Sequence, residues 1–143
     1  MEDLWPEIKL DSDFLLPKEI LEKQAEFLPK ISKGILFGEV VDYTTKYLYE
    51  LEEYKETEFC YRFILRSKHM DKYQFVILNM FHDIEMYPVH IYVEDAIKKT
   101  FPNNKQKFQV ANNEQEFQEA LKLILYSEKI RSVMSSLVRL SHK

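Results

Sequence analysis

The chain has 143 residues, 45% of them hydrophobic, enough for the core of one ordinary domain over residues 1–143, and its 2 Gly and 5 Pro exclude a loop-dominated chain. Its 20 basic and 24 acidic residues are dispersed along the sequence for a formal charge of −4, so no basic field exists for generic nucleic-acid binding. A single cysteine cannot form an internal disulfide, no apolar run is long enough to span a bilayer, and Glu2, Asp3 and Glu7 stand where a basic leader would; these features predict a soluble cytoplasmic protein without a membrane partner.

The opening groups Leu4-Trp5-Pro6 and Phe14-Leu15-Leu16 alternate with charge, which predicts an arm laid against the domain with Trp5 as its anchor. Pro17 suits the first position of a helix, and Leu15 and Ile20 have the spacing of a hydrophobic staple around its start. Ile20, Leu21, Phe27, Leu28 and Ile31 follow helical spacing as the inward stripe, interrupted by Gln24. Pro29 lacks the amide donor and predicts a kink or stop, while Gly34 can supply a left-handed exit toward a strand beginning near Ile35.

From Gly38 to Tyr54 two patterns compete. Val41, Tyr43, Thr45, Tyr47, Tyr49 and Leu51 would share one face of a strand, whereas a helix from Thr44 would gather Tyr47, Leu48, Leu51 and Tyr54; the Tyr, Thr and Val enrichment favours the strand. Next, Phe59, Tyr61, Phe63 and Leu65 alternate with Cys60, Arg62, Ile64 and Arg66, as on a partly exposed strand. In Tyr73 to Phe81 the two alternating sets, Tyr73, Phe75, Ile77 and Phe81 against Gln74, Val76, Leu78 and Met80, are both apolar, which predicts a central strand. Pro88 then opens a third run, Val89, Ile91 and Val93 alternating with His90 and Tyr92. The connections are too short for parallel crossovers, so the strands form an antiparallel meander.

A short helix is expected over Glu94 to Phe101 and a further short strand at Phe108 and Val110. Asn113 and Glu116 fit a capping box ahead of the stripe Phe117, Ala120, Leu121, Ile124 and Leu125. Beyond Ser127 the apolar set becomes Ile130, Val133, Met134, Leu137 and Leu140; the change of phase predicts a second helix capped by Ser127, with Ser141-His142-Lys143 as a loose tail. The fold class is therefore α+β: an antiparallel meander sheet of four to five strands packed against an N-terminal helix and two C-terminal helices.

Chemistry is harder to find. Gly34 and Gly38 form neither a phosphate loop nor a dinucleotide fingerprint, so no cofactor is expected. His82, Asp83, Glu85 and His90 are residue types that bind divalent metals or move protons near neutral pH, and they would serve a small metal-dependent hydrolase if the 82–90 hairpin brought them together. No established zinc spacing accompanies them, and solvated carboxylates with an outward His90 are the simpler reading. Cys60, as a thiol nucleophile beside His69, His82 or His90, lacks any catalytic signature, and a packing role is the expectation. Arg62, Arg66, Lys68, His69 and Lys72 cluster around the first turn of the meander, where protection of a sheet edge accounts for them without RNA.

Tyrosines offer rigid contact area and carboxylates attract basic partners, so Tyr47, Tyr49, Glu52 and Glu53 mark the candidate recognition patch. The expected role is a non-enzymatic interaction or regulatory module that binds another protein or a second copy of itself, through this patch or the last helix. A pocket between sheet and helices for an apolar ligand is a further expectation, provided that a ligand-sized cavity exists.

Overall fold

The structure, a computed structural model, describes residues 1–8, 14–43 and 59–141. The described elements run α1 (Pro17–Ile31), β1 (Leu36–Asp42), β2 (Phe59–Ser67), β3 (Gln74–His82), β4 (Val89–Tyr92), α2 (Asp95–Lys98), β5 (Gln109–Ala111), α3 (Glu114–Leu125) and α4 (Glu128–Ser141). The strands form one five-stranded sheet in the order β1-β2-β3-β4-β5 with every neighbouring pair antiparallel, the expected meander. No described helix is long and apolar enough to cross a membrane.

Pro17 opens α1, and the Leu16 amide donates to Glu19 Oε1 at 3.1 Å. Pro29 does not stop the helix, contrary to expectation; it lies so close to the end that α1 runs only to Ile31. Termination is the work of Ser32, whose buried hydroxyl donates to the Leu28 carbonyl at 2.6 Å and accepts from the Leu36 amide at 2.8 Å, tying the helix end to the strand start. Lys33 and Gly34 between them adopt φ of 55° and 82°, the left-handed exit.

Gly38 sets how closely α1 lies on the sheet. A Cβ there would stand 2.9 Å from the Ala25 Cβ, 2.9 Å from the Phe63 ring and 3.1 Å from Leu28, so only glycine admits the helix at this height. Leu36, Val40, Phe63 and Leu65 share the helix-facing side, as the pairing of Gly38 with Leu65 and Val40 with Phe63 requires.

In β3 the strict alternation fails. Phe63 pairs with Leu78 and Ile64 with Val76, so a β-bulge inserts Ile77, and both Ile77 and Leu78 enter the main core. Beyond the bulge the phase inverts: Leu78 and Met80 join the helix-facing core, whereas Phe81 turns to the opposite face and packs with Cys60 and Phe108. A sequence apolar on both parities carries no mark of where that inversion falls.

α3 is capped as expected: Asn113 Oδ1 accepts from the Glu116 amide at 2.8 Å, while Glu116 Oε1 reaches back to the Asn112 amide at 3.0 Å. Ser127 caps α4 through the Ile130 amide at 3.3 Å, so the phase change between the two stripes is a change of helix. Ser141 is no loose tail: it ends α4 with its hydroxyl 3.1 Å from that of Ser67. The amino-terminal arm departs further from expectation, because Trp5 is 84% exposed and anchors nothing among the described residues; contact with the domain comes at Phe14, edge-on to Tyr87 at 6.3 Å, and at Leu15, packed on the main core.

The Gly38 contact yields a stability prediction. Ala is favoured over Gly in a strand by backbone entropy, yet Gly38→Ala should destabilise the fold by about 1–3 kcal/mol, because neither the Ala25 Cβ nor the Phe63 ring can yield without moving backbone. A lower denaturant midpoint at unchanged slope would bear this out, and an unchanged or raised midpoint would refute it.

Candidate functional site

The sheet sends the two histidines of the 82–90 hairpin to opposite faces. His82 pairs with Phe59 on the helix-facing side, where it is buried and stacks on the Phe59 and Tyr61 rings at 5.4 and 5.8 Å, its Nδ1 lying 2.8 Å from the Asp83 carbonyl. His90 pairs with Phe81 and Val110 on the other side. Burial lowers the His90 pKa below its ordinary value, and the Asp83 carboxylate opposes that shift, so Asp83 and His90 are neighbours while His82 is not of their group. Glu85 is exposed within the turn in which the Met86 amide donates to the Asp83 carbonyl at 2.9 Å. Among the described residues no cluster of three or more His, Cys, Asp or Glu is placed to hold a metal. Cross-strand parity is the reason, since paired residues share a face and neighbours along a strand alternate.

Cys60 is 1% exposed on the outer face, and desolvation, with a smaller contribution from the Asp42 charge, pushes its thiol up to about 12. At neutral pH it is a protonated packing group, the opposite of an activated nucleophile. Nearby, Arg62 Nε donates to Asn79 Oδ1 at 3.0 Å with its guanidinium 4.6 Å over the Tyr43 ring, and Arg66 bridges Glu39 at 2.7 Å and Gln74 at 3.0 Å. Edge protection does not explain these arginines, because β2 is an inner strand; they tie β1, β2 and β3 together across the outer face. The patch of Tyr47, Tyr49, Glu52 and Glu53 lies outside the described residues, as does the choice between strand and helix from Thr44 to Tyr54.

A ligand-sized space exists elsewhere, on the helix-facing side. Gly38 draws α1 onto β1, α3 packs against β5, and between α1 and the α3–α4 corner the sheet is left partly uncovered. The result is a half-enclosed cleft of about 290 Å³. Its floor is made of otherwise buried core residues, Phe63 and Leu65 of β2 and Ile77 of the bulge. α1 contributes Gln24, Phe27, Leu28 and Ile31 to one wall; Leu125, Tyr126, Ile130, Arg131 and Met134 form the other.

The inward stripe expected for α1 therefore divides. Ile20 is buried, but Phe27 and Ile31, seven and eleven positions on along the same flank, are 51% and 67% exposed because among the described residues no element packs over them. Tyr126, where α3 ends and the phase changes, is 70% exposed across the cleft. Sequence reasoning placed Phe27 and Ile31 on the inward stripe because periodicity reports which residues share a flank, and says nothing of whether another element covers it. The one available signal was Gln24, a polar residue inside the apolar stripe.

Among the described residues Arg131 is the only charged one lining the cleft, and its guanidinium makes no side-chain hydrogen bond or ion pair with them; the Gln24 amide is likewise unengaged. Comparison of the chain with protein-family models, curated proteins and solved structures finds no match.

Two measurements follow from this arrangement. Zinc or manganese should leave the thermal midpoint of the metal-free protein unchanged, because His82 and His90 diverge; a rise that His82→Ala and His90→Ala both abolish would reverse this conclusion. Alkali should act through Cys60: unfolded, the thiol ionises near 9.0, while folded it holds its proton to about 12. Between these values the unfolded state has lost a proton that the native state keeps, so stability that is intact below pH 9.0 falls as pH rises toward 12. Tyr87, raised from 10.0 to about 12, adds to the upper part of that decline, so Cys60→Ala should flatten the profile first around pH 9 to 10. An unaltered profile in the variant would count against the buried thiol.

Proposed function

We propose that the protein is a non-enzymatic interaction or regulatory module of the cytosol that binds another protein or a second copy of itself. The cleft between α1 and α4 carries this reading: a floor of core residues opens to solvent between the exposed Phe27, Ile31 and Tyr126. Aromatic side chains around an apolar depression are the composition of an interface core, and they receive a protruding anchor as a protein interior receives a side chain. The last helix, anticipated as one of two contact surfaces, supplies Ile130, Arg131 and Met134 to the wall. The acidic-aromatic segment with Tyr47, Tyr49, Glu52 and Glu53 is the second contact in this proposal, adding charge that steers a basic partner.

Paired substitution at the rim tests the reading. Phe27→Ala with Tyr126→Ala should leave the thermal midpoint nearly unchanged, since both side chains are exposed, yet weaken partner binding by about tenfold or more. Alanine at Tyr47, Tyr49, Glu52 and Glu53 should slow association and reduce its salt dependence. If a partner bound the doubly substituted rim and the substituted acidic segment as tightly as the parent, in calorimetric titrations, the module reading would be lost.

A further inference from the structure

We propose that the occupant of the cleft is the amino-terminal arm of a second copy of this chain, exchanged reciprocally, with Trp5 as the side chain that fills it. The inference rests on the reading of the cleft as a binding surface and names its partner.

The arm displays the complement of the cleft. Leu4, Trp5 and Ile8 are 85%, 84% and 78% exposed, a concentration of bare apolar surface within five residues that no surface among the described residues covers. The cleft, at about 290 Å³, has close to twice the roughly 150 Å³ that accommodates benzene, room for an indole and a neighbouring aliphatic group. Charge agrees as well. The arm carries Glu2, Asp3 and Glu7, while among the described residues the cleft wall presents Arg131 without a partner and no carboxylate. Gln24 adds an unengaged amide that can meet the arm's backbone.

The arm is also prepared for insertion. Asp3 Oδ1 accepts from the Trp5 amide at 3.0 Å, and Pro6 restricts Trp5 to extended backbone, so part of the ordering cost of binding is already met in the free arm.

In the structure the arm is not seated in the cleft of its own domain, Trp5 being 84% exposed. Phe14 rests on Tyr87 beside the start of α1, whereas the cleft opens at the other half of that helix, from Gln24 to Ile31, roughly 10–20 Å along its axis at 1.5 Å per residue. A two-fold pair passes each arm across to the other protomer's cleft and closes without leaving a free arm.

The chain's only tryptophan reports the event directly. Sedimentation velocity of the full-length protein should show a monomer–dimer equilibrium, and Trp5 emission should move to shorter wavelength with the same concentration dependence. Trp5→Ala should weaken dimerisation roughly 30-fold or more, as loss of a central anchor does, and Arg131→Glu about tenfold; both side chains are solvent-exposed, so circular dichroism should be unchanged. A monomer at all concentrations, Trp5 burial independent of concentration, or a dimer indifferent to Trp5→Ala would each overturn the proposal. Binding of the dye 1-anilinonaphthalene-8-sulfonate to the Trp5→Ala protein separates the two levels. If the protein stays monomeric but the dye binds and is lost with Phe27→Ala and Tyr126→Ala, only the second copy is excluded; if the dye does not bind either, the cleft as a binding surface falls with it.

Discussion

The contact on which the architecture turns is the meeting of α1 with β1 at Gly38. With the Ala25 Cβ and the Phe63 ring each 2.9 Å from where a Cβ would be, the helix sits as low on the sheet as a backbone permits. That close seat commits the Leu21 and Leu28 side of the helix to the core and leaves the flank of Gln24, Phe27 and Ile31 facing the middle of the sheet. α3 ends across from this flank at Leu125, since Ser127 ends one apolar stripe and starts another. The cleft is the space between a helix held by a missing side chain and a corner set by a cap.

The bulge at Ile77 has a comparable reach. By adding one residue to β3 opposite Phe63 it places two side chains on the helix-facing side and inverts the parity of everything after it. Met80 and His82 thereby turn inward and Phe81 outward, which gives the outer face its small aromatic core with Cys60 and Phe108. Antiparallel pairing then decides the hairpin: His90, opposite Phe81, shares the outer face, and His82 is stacked within the inner one. The two histidines of a candidate metal site are drawn apart by sheet parity.

A cleft whose floor is core and whose rim is exposed aromatic surface has the physical character of an interface. Burial of such surface is favourable at roughly 25 cal/mol per Å², and among the described residues nothing realises that gain in full at Phe27, Ile31 or Tyr126. The outer face behaves otherwise. There the arginines of β2 are consumed in cross-strand contacts with Glu39, Gln74, Asn79 and the Tyr43 ring, and the thiol of Cys60 is held protonated, so little is left to engage a ligand.

The sequence by itself determined the elements and their order, because the forces involved act over a few residues. Period-two alternation in β2 and β4, the Asn113 and Ser127 caps, Pro17 at a helix start and Gly34 at its exit all work within a turn or a strand, and connections too short for crossovers left only a meander. Tertiary structure decided what those elements face. Whether Phe27 is core or rim depends on what lies opposite it, whether His82 and His90 meet depends on the register that sets His90 opposite Phe81, and whether Trp5 finds a seat depends on surfaces far from it in sequence. Burial is a property of pairs of surfaces, and periodicity along one chain segment describes only one member of each pair.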